Sequence, residues 1–490
     1  LPPLEPGKQE YIGGHGETPV LLVQGPPGTG KSYTTAFAVL ARLQGAMTAG
    51  QDCRVFLTCK THHATDVLLE KLVEALENLR TLRAQAPHLF EEFIDPRLLE
   101  LPCFRVRPRG AVPEGVIALP RKEDLPPGTP KAVRQIDAQR WCVVATPPGG
   151  VYGIVKEEWP KALLGHELCD LLVLDEASQM NLPEAVMAAL LLKPAGRVIV
   201  VGDPRQMPPI IKHDWSNEPR RTFKEYRAFE SLFAALQPLG TATIKFNESF
   251  RLHRDMAAFL CKEIYRKDGI AYFSQQHRTL APGAYADPFV AAVLSPEHTL
   301  VVVVHDEADS QFRNRFEQAL ATPLLEALAL GHGLGPEHGL GVVVPHRAQR
   351  AALQDAIPCL TVRDPQTQVI SLSAVDTVER FQGGERDVIV VSATESDREY
   401  LQIAGDFLLD PRRLTVALSR AKHKMVLIAS RSVFTLFSMD EDTFDNAQLW
   451  KNLLRYTCTE LLWEGVRDGH GVRVWGNMPA AGSRPADPQM

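Results

Sequence analysis

Eight consecutive residues offer the plainest chemistry in the chain: Gly-Pro-Pro-Gly-Thr-Gly-Lys-Ser, Gly25 to Ser32. They follow an apolar run at 19–23 and precede a helical stretch at 33–44, the setting in which a glycine-rich loop cradles phosphate. Glycines let backbone N–H groups converge on an anion, and a helix N-terminus adds partial positive charge. Within that loop Gly25, Pro26, Pro27, Gly28, Thr29 and Gly30 would shape the cradle. Lys31 would reach the β- and γ-phosphates, and Ser32 would offer a hydroxyl to Mg²⁺.

A second apolar run, 171–175, ends in adjacent carboxylates. Asp175 is suited to hold Mg²⁺ together with Ser32, and Glu176 to polarise an attacking water. Read alone, Asp-Glu after a strand is a common way to start a helix, because carboxylates favour the N-terminal dipole. The phosphate loop upstream favours the chemical reading. A third run ends at Asp203 and is followed by Gln206, a position suited to sensing a γ-phosphate or simply to leaving a strand. No second phosphate loop appears after residue 245. Further positive charge for the site would come from the second half, with Arg251 at the junction and Arg420 on a helix. On spacing alone, an ordinary solvated arginine is the preferred reading of both.

These groups need a scaffold, and the pattern around them supplies one. Short β-branched runs alternate with helical stretches, as in parallel sheets covered on both faces. Strands are expected at 19–23, 54–59, 141–146, 171–175, 197–202 and 242–246. In the second half they are expected at 299–305, 341–345, 368–374, 387–393 and 424–429. The fold class is therefore α/β, with two tandem doubly wound parallel-sheet lobes, residues 1–246 and 247–435. Residues 436–490 would be a C-terminal helix, around 447–466, and a disordered tail. Residues 78–140, rich in proline, read as an inserted subdomain in the first lobe, and 211–230 as a shorter polar insertion.

Within 78–140 there are eleven Lys/Arg against eight Asp/Glu, in a chain whose formal net charge is −6. Binding of a polyanion would thus need a local groove. Arg105, Arg107 and Arg109 alternate as along a strand and would project from one face towards a phosphate backbone. A solvated edge strand whose charges deter aggregation accounts for them equally. Eight cysteines form neither a CxxC pair nor a short Cys/His cluster, which points to free thiols. No apolar run approaches the roughly 18 residues of a membrane span, so no membrane partner is expected. A soluble protein of the cytoplasm, nucleoid or nucleus is expected. The N-terminus, Leu-Pro-Pro-Leu-Glu, has neither an initiator Met nor a secretion signal, which suggests a piece of a longer polypeptide.

The segments taken in order are more specific than any one of them. Gly-Pro-Pro-Gly-Thr-Gly-Lys-Ser, Asp-Glu-Ala-Ser-Gln, Gly-Asp-Pro-Arg-Gln, Ser-Phe-Arg-Leu-His, Val-Pro-His-Arg-Ala-Gln, Val-Asp-Thr-Val-Glu-Arg-Phe-Gln-Gly-Gly-Glu-Arg-Asp and Val-Ala-Leu-Ser-Arg-Ala run from about residue 20 to 430. This set resembles superfamily 1 helicases, and within them the branch that includes the RNA helicase of nonsense-mediated decay and the nuclease-helicase of Okazaki flaps. The resemblance implies RecA-like lobes, ATP and Mg²⁺ as cofactors, and single-stranded DNA or RNA as partner, with DNA slightly favoured. It implies 5′-to-3′ translocation driven by ATP hydrolysis between the lobes. Gln206 would couple nucleotide to motion, and Arg251 and Arg420 would be arginine fingers. Gln382, Gly383 and Glu385 would link nucleotide to strand, with Glu385 near the ribose or γ-phosphate. Thr61, His62 and Arg347 would touch the strand, although His62 and His63 could equally be an ordinary exposed pair. Thr415 stands where many members carry Asn. Gln9 fits poorly as the family's adenine-reading glutamine, and Gln24 is a separate position. The extra barrel-like domain of many relatives is missing, and a nuclease could lie upstream. Two rival readings are a nucleotide-gated clamp that separates no strands and a degenerate scaffold.

Overall fold

The computed structural model describes residues 4–209, 230–337, 339–378, 381 and 384–478. The chain divides into two compact units, Leu1–Asn247 and Glu248–Met490. The expected polar insertion at 211–230 lies almost wholly outside the described residues, and Gln382 and Gly383 lie outside them as well.

The first unit is built on eight strands: β1 (Val20–Gln24), β2 (Cys53–Cys59), β3 (Cys103–Val106), β4 (Val116–Leu119), β5 (Trp141–Ala145), β6 (Cys169–Asp175), β7 (Leu192–Gly202) and β8 (Ala242–Lys245). Their order across the sheet is β4-β3-β5-β2-β6-β7-β1-β8, and every pairing is parallel. Alternate residues of each strand feed opposite cores. Leu21, Val23, Val55 and Leu57 pack on one face with helices α1 (Pro6–Gly13), α2 (Lys31–Thr48) and α3 (His62–Gln85). Leu22, Phe56, Val144 and Leu172 pack on the other, with Val151 and Ile154 of the helix Pro148–Glu158. Burial on both faces explains why these strands read as unbroken apolar runs.

The expected separate subdomain at 78–140 is corrected. Its start belongs to α3, and β3 and β4 extend the main sheet, with Cys103 in register with Val143 and Val116. Phe104, Val106 and Leu119 join the same core as β2 and β5. The prolines punctuate connections at the sheet's edge and do not mark an independent body.

The second unit opens with a parallel pair, β9 (Glu248–His253) and β10 (Phe273–Gln276). Its main sheet holds β11 (Leu300–His305), β12 (Leu340–Val344), β15 (Val375–Thr377), β16 (Arg386–Ser392), β17 (Ala421–Ser430), β18 (Glu460–Arg467) and β19 (His470–Gly476), in the order β15-β12-β16-β17-β11-β19-β18. The first five are mutually parallel, while β19 runs antiparallel to β11 and β18 antiparallel to β19.

Two expectations fail here. The strand placed at 368–374 leaves the sheet. Ile370–Ser373 (β14) pairs antiparallel with Thr361–Arg363 (β13), and β15 takes the sheet edge. The polar residues of Ile-Ser-Leu-Ser suit a ribbon with no buried face, whereas Val375 and Thr377 are buried. The helix expected at 447–466 instead spans Glu441–Asn452 and is followed by a π-turn, Leu453–Thr457, and the β18–β19 hairpin. Residues 436–477 therefore belong to the second unit. The hairpin turns through Asp468 and Gly469, both at positive φ (47° and 83°), the conformation that a tight two-residue Asp-Gly turn requires.

Candidate functional site

In the first unit the phosphate loop leaves β1, which lies between β7 and β8. Gly28 and Gly30 sit at φ of 72° and 79°, a left-handed backbone that glycine adopts without steric cost. A Cβ on Gly25 would lie 2.7 Å from the Lys31 side chain and 2.8 Å from Thr29 Oγ1, so a side chain there would close the loop. Thr29 Oγ1 donates to Pro26 O at 2.8 Å and Lys31 Nζ to Gly25 O at 2.7 Å, which braces the loop from within.

The next two strands bring the acidic groups to the same edge. Asp175 ends β6, is buried, and accepts a 2.9 Å hydrogen bond from Ser32 Oγ. Burial, reinforced by the neighbouring Glu176 charge, pushes its carboxyl up to about 6. Glu176 sits at φ 53°. Its N–H donates to Asp175 Oδ1 at 2.9 Å, while its own carboxylate accepts from Gln179 Nε2 at 3.3 Å. The two carboxylates thus engage different partners, as separate tasks demand. Beyond β7, Gln206 is buried and donates to Asp203 Oδ2 at 2.9 Å. Strands β6, β7 and β1 are parallel neighbours, so these groups gather outside their carboxyl ends, where open α/β sheets receive ligands. Ser32 and Asp175 offer hard oxygen donors, fitting a small cation such as Mg²⁺ that takes few protein ligands.

Thr61 caps α3, accepting from Ala64 N at 3.1 Å, and is exposed. Arg105 departs from expectation. It is fully buried, donating to Asp66 Oδ1 at 2.5 Å, to Val106 O at 2.7 Å and, at 3.1 Å, pairing with His62 Nδ1. It therefore orients His62 and, fully buried within β3, cannot itself reach a phosphate backbone. Burial, with Arg105 and Arg109 nearby, lowers the His62 pKa below its ordinary value and favours the neutral ring. The expected alternation ends at Val106: Arg107 takes a left-handed φ of 48° and pairs with Glu157. Arg109 is exposed. His62, Arg107 and Arg109 line a cleft of 280 Å³ together with Arg121, Gly149 and Gly150. Those last three were missed: Pro-Pro-Gly-Gly, one residue after β5, signals a turn that could have drawn attention to Gly149 and Gly150, whereas nothing in the spacing marks Arg121.

In the second unit Glu385 bridges two cations. Arg251 Nε donates to its Oε1 at 2.6 Å, and Lys422 Nζ lies 3.2 Å from its Oε2. Burial alone would raise this carboxyl, but Arg251 and Lys422 outweigh it and hold the group below its ordinary value. Lys422 was not anticipated. Arg420 is not on a helix, since the helix Pro411–Leu418 ends before it, and it is buried at the turn into β17. Arg347 is exposed at the start of the helix Arg347–Ala356. Gln9 is exposed, its amide donating to Leu4 O at 2.5 Å. Among the described residues no helix is long and apolar enough to cross a membrane.

Two family models, each described as an AAA domain, match residues 8–212 and 228–432. The mouse (Mus musculus) DNA replication ATP-dependent helicase/nuclease DNA2 is 27% identical over 87% of this chain, and yeast (Saccharomyces cerevisiae) ATP-dependent helicase NAM7 is 25% identical over 84%. The Drosophila melanogaster regulator of nonsense transcripts 1 homolog is 26% identical over 92%. The chain belongs to helicase superfamily 1. Within superfamily 1 it falls in the branch of these relatives, and it spans 37%, 40% and 35% of their respective lengths. A solved arterivirus nonstructural protein 10 helicase in complex with DNA aligns over 86% of this chain and 63% of that one, at 14% identity and a TM-score of 0.39.

Proposed function

We propose that this superfamily 1 chain is an ATP-dependent motor that moves 5′ to 3′ along single-stranded nucleic acid, DNA in preference to RNA, and separates duplexes. The Ser32–Asp175 hydrogen bond carries the reading, because it joins the phosphate loop to the acidic strand end at the place where a Mg²⁺–triphosphate would be held. Bound there, Mg²⁺ would neutralise charge on the β- and γ-phosphates. Lys31 Nζ exchanges the Gly25 carbonyl for a phosphate oxygen. Glu176 orients the attacking water and takes its proton, and Gln206, steadied by Asp203, senses the γ-phosphate. Arg251 and Arg420 supply positive charge to the departing phosphoryl group, with Glu385 positioning Arg251. Thr61, His62, Arg107, Arg109 and Arg347 serve the strand.

The test is steady-state ATP turnover with and without single-stranded DNA or RNA, followed by strand displacement from substrates with 5′ or 3′ tails. Lys31→Ala and Glu176→Gln should each lower turnover at least 100-fold, with Glu176→Gln still binding ATP. Turnover indifferent to any oligonucleotide would sink the motor, and turnover without displacement would leave a clamp.

A further inference from the structure

Several aromatic rings of the second unit are exposed, and one of them is held between two further rings. Phe312 is 52% exposed, yet its ring is braced by two others. The centroid of His346 lies 5.1 Å away with the planes at 73°, and that of Tyr400 lies 5.2 Å away at 68°. The three rings come from segments that follow three strands, β11, β12 and β16. These strands run parallel within one sheet, so the segments emerge at its carboxyl edge, the side on which such sheets take ligands.

Buried polar groups fix the loop beneath Phe312. Asn314, fully buried, donates to Glu307 Oε2 at 2.7 Å and to Thr394 O at 3.2 Å. Ser310 and Ser396 exchange two bonds, Ser310 N to Ser396 Oγ and Ser396 N to Ser310 O, each of 2.8 Å. His346 Nε2 is 2.7 Å from Oε1 of the buried Glu395. Burying three carboxyl or amide groups is costly unless each is bonded, and here they immobilise a loop whose apolar residue faces water. A phenyl ring needed for packing would turn inward. Arg313, Arg347 and Arg398 are exposed neighbours of the three rings in sequence.

We infer that Phe312 is a stacking platform for an unpaired base of a single strand, with His346 and Tyr400 as positioning rings. Rigid aromatics interleaved with arginines are what sequence-neutral strand binding uses: the ring takes the base face and the guanidinium groups take phosphates. The inference rests on the proposed function and adds to it a particular base contact in the second unit.

The probe is a fluorescein-labelled 20-mer of oligothymidine, with its RNA counterpart, titrated with the full chain in an anisotropy assay. A 20-mer of abasic deoxyribose phosphate serves as the base-free control. Phe312→Ala and Phe312→Leu should weaken binding of the thymidine 20-mer by roughly 5- to 150-fold, and Phe312→Trp should retain it. The abasic strand, with nothing to stack, should be held equally by all four proteins. An Ala variant that binds oligothymidine like the parent, while the parent binds in a salt-dependent way, overturns the platform and leaves the motor standing. A parent chain that binds neither DNA nor RNA overturns both. A loss of equal size on the abasic strand also overturns the platform, since the ring would then only support the loop.

Discussion

Asp175 is the residue whose environment gives the sharpest test. Its ordinary carboxyl value is 3.8, and burial beside Glu176 raises it to about 6. The fold therefore favours the protonated acid, and its ionisation costs stability increasingly as pH climbs from about 4 to about 6. Asp175→Asn removes that cost. Its melting temperature should exceed the parent's by a clearly smaller margin near pH 4.5 than at pH 7.5, where the gap should reach several degrees, at roughly 2–4 °C per kcal/mol. An equal gap at both values would show that the carboxyl is not perturbed. Mg²⁺-dependent nucleotide binding should weaken below about pH 6 for the same reason, because the metal must displace the proton. The arginines give a second test. Arg105→Met should lower the melting temperature, leaving Asp66 and a carbonyl without their donor at a cost of roughly 1–3 kcal/mol. Its salt dependence of strand binding should stay as in the parent. Arg109→Ala should leave stability unchanged and flatten the salt slope by about one. Titrations of both variants across salt, beside thermal melts, separate contact from support. The phosphate loop was legible because its chemistry is backbone chemistry, written directly in glycine spacing. The fate of Arg105 was not, because alternation says which residues share a face but not what covers that face.

At the scale of elements, apolar runs marked most of the parallel strands to within a few residues, since each is buried on both sides. The failures have particular causes. Residues 460–476 carry an Asp-Gly turn between two alternating stretches, Leu-Leu-Trp-Glu-Gly-Val-Arg and Gly-Val-Arg-Val-Trp, a hairpin signal that the helical reading of 447–466 overrode. Residues 78–140 misled through their prolines, which interrupt the sheet edge without ending the sheet. The C-terminal hairpin has a structural role that can be checked by deletion. β19 pairs with β11 from Val301 to His305 and buries Val472 and Val474. Ending the chain after Cys458 would forfeit roughly 3–6 kcal/mol from those two valines and bare the edge of a valine-rich strand. The shortened protein should be largely insoluble when expressed, and any soluble fraction should melt well below the parent. An unchanged melting temperature would mean that the hairpin is only an appendage.

For the whole molecule, the repeat of strand and helix with a single phosphate loop made two unequal lobes readable, and the ordered motifs made the family readable. The motifs could not reveal what surrounds these residues in relatives that are far longer. The first unit, Leu1–Asn247, contains all eight strands of its sheet together with Lys31, Ser32, Asp175, Glu176 and Gln206. Expressed alone, it should fold and be stabilised against heat by Mg²⁺ and ATP, yet hydrolyse ATP at least 100-fold more slowly than the full chain, since Arg251 and Arg420 are missing. Turnover at the full rate would remove both arginines from the mechanism. The order of the sheet also governs synthesis. The strand that carries the phosphate loop is made first but bonds only to strands 192–202 and 242–245. On the ribosome it must wait unpaired for more than 170 residues, so the cradle is among the last parts of its lobe to take shape, and nascent chains are exposed to misassembly there for longest.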